Sequence, residues 1–180
     1  MRNATCDNQA VGVLVRQDVR LLFVERKGEQ PGFGPPTGHL DGRSALEAAA
    51  RTLEIHTGLL AEALEVRLVT SLPGPCAPRG RSSHAWMIVE AVRWRGSVRP
   101  PDGPTEVFWA DEVTVADLAE RLEQFAVSVG ISSDDVAGLL TALQADPDWR
   151  RNPGLDPWWL SLLKASNALG SAWEKRPHLA

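Results

Sequence analysis

Along the first part of the chain, apolar residues come in short β-branched runs broken by polar turns. AVGVLV (Ala10–Val15) and RLLFVER (Arg20–Arg26) predict a β-hairpin over Gln9–Arg26, with Gln17-Asp18 as its turn. Pro31, Gly32, Gly34, Pro35 and Pro36 crowd the next stretch, so Lys27–Thr37 reads as a loop. Ser44 and Glu47 form a capping-box pair at the head of a segment that Gly58 closes, which predicts a helix. Strands are expected over Leu64–Leu72, His84–Trp94 and Glu106–Ala110, separated by connections rich in Pro and Gly. After Asp111 the spacing turns helical. Val115, Leu118, Leu122, Phe125 and Ala126 predict a helix over Val115–Val127. A second is expected over Asp134–Ala145, capped by Ser133, and a third over Pro157–Leu169, with Pro157 in its first turn. This order of elements predicts an α/β (α+β) fold, a mixed β-sheet with helices packed on it.

Composition narrows the function classes. A chain of 180 residues, 43% hydrophobic and 23% charged, can bury a full core, and it is too apolar for disorder throughout. The net charge of −4 supplies no attraction to nucleic acid or to an anionic membrane, so neither is expected as a partner. No apolar run is long enough to span a bilayer, and the opening MRNATCDNQ has no signal-peptide core. Cys6 and Cys76 stand apart from any CxxC or Cys/His cluster, which argues against structural zinc and for a reduced, cytoplasmic setting.

One stretch carries candidate chemistry: GHLDGRSALEAAARTLEIHTGL, Gly38–Leu59. It resembles the signature of the Nudix family, G-x5-E-x7-R-E-U-x-E-E-x-G-U with U aliphatic. Gly38, Arg51, Leu53, Gly58 and Leu59 match it, although the distance from Gly38 to Arg51 is one residue short. The flanks are similar too: a hairpin before the box, VERK at the end of its second strand, and EVFWADEV later. The likeness covers Gln9–Val127, roughly two thirds of the chain. It implies an N-terminal tail (1–8), a Nudix-like domain (9–127) and a helical C-terminal extension (128–180) packed on that domain. NPGLDPWWLSLL resembles a C-terminal helix of some members. The implied fold is a mixed sheet sandwiched between helices, and the implied activity is a bacterial-type hydrolase. Members cleave a diphosphate linked to another moiety, usually a nucleoside, using Mg²⁺ held by the signature glutamates.

Carried over position by position, those glutamates are replaced. The first falls on Arg43 or Ser44, the one after Arg51 on Thr52, and the last two on Ile55 and His56. Glu54 sits about 200° round the helix from Thr52 and faces away. Glu47, four residues before Arg51, is placed to pair with it. Ile55 offers no lone pair, and Arg43 would repel a dication but could bind a phosphate or carboxylate directly. No metal is therefore expected, and Mg²⁺ only if Asp41, Glu90 or Glu106 stands in for the missing acids.

The candidate catalytic residues are His56, His39, Asp41 and Glu106. The candidate ligand-binding residues are Arg43, Arg51 and Arg26. His56 is either a general acid/base or a half-buried helix residue, Asp41 either a surviving acid or a turn residue, and His84 reads as solvent-facing. Four of the seven tryptophans, Trp149, Trp158, Trp159 and Trp173, lie in the extension, where they either stack on a ring-bearing ligand or pack it onto the sheet or a second subunit. Three functions stay open. One is an altered Nudix-type enzyme acting on a phosphorylated or nucleotide-like small molecule. The others are a silent domain that binds a small ligand or partner, and a metal-free acid/base enzyme in the same pocket. A homodimer is also compatible with the sequence.

Overall fold

The structure, a computed structural model, describes residues 8–27, 31–74, 83–99 and 106–168. Seven strands form a mixed sheet in the order β3-β2-β1-β6-β5, with β4 added beside β1 and β7 beside β2. They are β1 (Gln9–Gln17), β2 (Arg20–Arg26), β3 (Gly32–Gly34), β4 (Thr37–His39), β5 (Leu60–Pro73), β6 (Ser83–Arg95) and β7 (Val107–Ala110). The β1–β6 pair is parallel and the other pairs are antiparallel.

Alternation along β1 divides the core. Val11, Val13 and Val15 join Leu22, Val89 and Ala91 beneath α1 (Ala45–Thr57), in contact with Ala48, Ala49 and Leu53. Ala10 and Leu14 point the other way, to α2 (Glu112–Val129), α3 (Val136–Ala145) and α5 (Pro157–Ala165). Helices thus cover both faces, as the mixed-sheet reading expects.

The C-terminal segment shares the second cluster with the sheet: Leu139, Leu143, Trp149, Trp158, Trp159 and Leu163 pack with Leu14, Phe23 and Ile88. Glycines receive its tryptophans. A β-carbon at Gly12 would come within 2.6 Å of the Trp159 ring, one at Gly34 within 2.1 Å of it, and one at Gly74 within 2.5 Å of Trp158. Backbone bonds fasten the same segment to β3: Phe33 N–H donates to Gly154 O, and Asp156 N–H donates to Phe33 O. Trp149 Nε1 donates to Pro31 O at 2.7 Å.

Several boundaries differ from the sequence reading. The turn of the hairpin is Asp18-Val19, with Asp18 in the left-handed region, one position later than expected. The expected loop Lys27–Thr37 contains β3 and the start of β4, because the free edges of β2 and β1 recruit three-residue segments with no strand signal of their own. Strand β5 starts four residues early, at Leu60, and Glu62 and Arg67 are each the extra residue of a bulge. Asp135, not Ser133, caps α3 by accepting from Gly138 N–H. An additional short helix, α4 (Pro147–Arg151), is capped by Asp146. Ser166 ends α5, and Leu169 lies outside the described residues, as do Cys6, Cys76 and Trp173. His84 is buried rather than solvent-facing, edge-on to Trp158 at 5.7 Å between ring centres.

Candidate functional site

Helix α1 carries the signature positions, and its two ends are built as the sequence predicts. Ser44 accepts from Glu47 N–H, while the Glu47 carboxylate accepts from Ser44 N–H and Oγ. That use of Glu47 replaces its expected pairing with Arg51, and it holds the Glu47 carboxyl below the usual carboxylate range. Gly58 closes the helix in the left-handed conformation. Thirteen residues at about 1.5 Å each put the two ends roughly 20 Å apart.

That length separates the candidates. At the N-terminal end Asp41 and Arg43 pair with each other at 3.6 Å, and Asp41 and Gly42 form a positive-φ turn into the helix. Arg51 is exposed on α1. At the C-terminal end sits His56, half-buried. Burial, and after it the charge of the Arg26 guanidinium, push its imidazole below the usual histidine range. Arg26 ends β2, and its Nη1 reaches Oδ2 of Asp156 at 2.5 Å. Asp156 is 1% exposed and also caps α5, accepting from Trp158 N–H at 2.8 Å. Sequence reasoning missed Asp156. The Asp-Pro step ahead of an apolar run marks a helix start, but nothing local points to an arginine 130 residues away.

The signature face between these ends carries no acidic side chain. Thr52 is buried, and its Oγ1 lies where a β-carbon on Gly38 would come within 2.4 Å. Ile55 is half exposed. His39 does not join this group. It pairs with Ala10 on the α5 side of the sheet, while Gly38 pairs with Val11 on the α1 side. Its ring stands 6.0 Å from that of His84. Glu90 lies between Arg16 at 3.2 Å and Arg67 at 2.6 Å. Glu106 sits beside Glu25, whose Oε2 accepts from Glu106 N–H, at the open end of β2 and β7. The three acids that could replace the signature glutamates are therefore dispersed. Among the described residues no three His, Cys, Asp or Glu side chains are grouped to hold a metal ion. No described helix is long and apolar enough to cross a membrane.

A family model of the NUDIX domain matches residues 7–130. Among solved structures, the MutT protein from Methanosarcina mazei Go1 superposes with a TM-score of 0.50 at 14% identity, over 61% of this chain and 80% of that one. A MutT protein from Bacillus halodurans gives 0.49 at 18%, over 61% and 71%. An ADP compounds hydrolase gives 0.48 at 25%, over 62% and 61%. No curated protein matches the sequence.

Proposed function

Because the chain belongs to the Nudix family, we propose that it recognises a phosphorylated, nucleotide-like small molecule at the C-terminal end of α1, by direct contact with Arg26 and His56 rather than through a carboxylate-held magnesium ion. One observation carries this reading: the signature face presents Thr52, Ile55 and His56, with a guanidinium near enough to depress the imidazole. Magnesium requires about six oxygen ligands in a near-octahedral shell. Thr52 turns its oxygen to Gly38, Ile55 has none, and His56 offers nitrogen beside a cation. This donor set does not fit the ion. It does suit a phosphate group, since a guanidinium binds phosphate oxygens through paired N–H donors. The exposed Arg51 adds positive charge farther along the helix, whereas Arg43 pairs with Asp41 at the opposite end.

The test is calorimetric titration with a panel of nucleoside diphosphate conjugates, in magnesium and in EDTA. Binding that is equal in both and abolished in Arg26→Gln is the expected result. Binding or rapid hydrolysis that requires the metal defeats the proposal.

The depressed titration of His56 favours a second reading, an acid/base step at this site. An imidazole that is neutral at pH 7 can accept a proton from a bound ligand. Turnover insensitive to EDTA and lost in His56→Ala is its signature. A ligand that binds and is released unchanged leaves the domain as a binding module.

A further inference from the structure

The cap of α5 carries more than the helix alone requires. A helix N-terminus needs an acceptor for its free N–H groups, and serine, threonine or asparagine supplies one without charge. Here the cap is an aspartate, Asp156, 1% exposed. Its two oxygens divide the work: Oδ1 accepts from Trp158 N–H at 2.8 Å, and Oδ2 accepts from Arg26 Nη1 at 2.5 Å. Its own N–H is held by Phe33 O, and a β-carbon on Gly32 would come within 3.0 Å of its Cα. The carboxylate is thus fixed by β3 and α5 before it meets Arg26. The arginine side chain retains 26% exposure. It reaches solvent from a fixed point rather than as a free arm.

We infer that Asp156 is the positioning residue for Arg26, so that the ligand site at the end of α1 is completed by the C-terminal segment around residues 153–160. This rests on the proposed role of Arg26 as a ligand contact. A guanidinium on a free stem must lose several rotamers on binding a phosphate, whereas one already clamped by a rigid carboxylate has lost most of them. The site therefore spans both parts of the chain: the arginine and the imidazole come from within residues 7–130, and the carboxylate that aims the arginine comes from beyond them.

The test uses the full chain and the variants Asp156→Asn, Asp156→Glu, Arg26→Gln and the double variant Asp156→Asn/Arg26→Gln. Asparagine keeps the α5 cap and removes the charge, and circular dichroism confirms which variants remain folded. The first readout is the His56 imidazole titration by NMR, with no ligand present. In Asp156→Asn the released guanidinium moves towards solvent, its field on His56 weakens, and the titration midpoint rises towards that of Arg26→Gln. In the Arg26→Gln background the Asp156 substitution adds nothing further. The second readout is affinity for the tightest-binding nucleoside diphosphate conjugate of the panel. It falls roughly tenfold in Asp156→Asn, as for loss of one charge-assisted contact, and Asp156→Glu recovers part of it. An unmoved midpoint in Asp156→Asn, or a shift that persists in the Arg26→Gln background, overturns the inference. If no conjugate binds even the wild-type protein, the functional proposal fails, while the titration still decides whether Asp156 acts through Arg26.

Discussion

Replacing Gly34 with alanine tests how tightly α5 is seated. The added β-carbon would stand 2.1 Å from Cδ1 and 2.7 Å from Cγ of Trp159. Carbon atoms settle at about 3.5–4.0 Å, so the indole must retreat by roughly 1.5 Å. Trp159 is fully buried, and the far end of its ring already lies over Gly12 and near Ile88. The ring has no room to slide, so the retreat must carry α5 with it, against the bond between Asp156 and Arg26. Overpacking commonly costs 1–3 kcal/mol, and a displacement this large with no flexible neighbour belongs at the upper end, about 3 kcal/mol. In a chain of this size that lowers Tm by roughly 6–12 °C.

Urea denaturation followed by circular dichroism measures the effect. Trp159→Ala alone should cost about 3–5 kcal/mol through the cavity it leaves. In the double variant the alanine at position 34 meets no ring, so the second substitution is nearly free and the two losses fall short of additivity by about 2–3 kcal/mol. A Gly34→Ala protein within about 0.5 kcal/mol of wild type, or strict additivity in the double variant, would refute the seating of Trp159 between β1 and β3.

Three further outcomes follow from the same contacts. His56 resists protonation when folded, so the unfolded chain binds more protons as pH drops below about 6.5. Its contribution is complete above that value and declines as pH falls towards the folded midpoint, and His56→Gln should flatten that part of a stability–pH curve. An identical slope in the variant removes the assignment. Gly38→Ala should destabilise through the 2.4 Å approach to Thr52 Oγ1, and Thr52→Ala should restore most of the loss; failure of the rescue in a thermal melt would show that the two residues do not touch. Gly58→Ala should cost about 1–2 kcal/mol, because φ is 75° there and the new β-carbon would meet Arg99 at 3.2 Å; a neutral result in urea denaturation contradicts the left-handed cap.

The legible parts of this protein are those specified by neighbours in sequence. The hairpin, the capping box at Ser44 and the glycine stop of α1 each depend on a few adjacent residues, and each forms close to where the sequence predicts. Strands β3 and β4 are three residues long and exist because β2 and β1 offer edges, which no local pattern reports. Burial of His84 depends on Trp158, far along the chain. The candidate site suffers most from this limit. His39 and His56 are seventeen positions apart and look like one group in sequence. Strand register sends His39 to the α5 side while α1 carries His56 over the other face. Conversely, nothing in sequence joins Arg26 to Asp156.

That last pairing is hard to explain by stability alone. Desolvating a carboxylate costs several kcal/mol, and an ion pair inside a protein often does no better than neutral residues of similar shape. Asparagine would cap α5 as well, and the glycine seats beneath Trp158 and Trp159 already hold the segment down. A stability-only account gives the charge on Asp156 its interaction with the α5 dipole, typically about 0.3–1 kcal/mol, yet that charge also meets the arginine whose field reaches His56. The buried acid is better understood as fixing where a cation stands. Under the proposed reading, that fixed cation is the group that meets the phosphate at the end of α1.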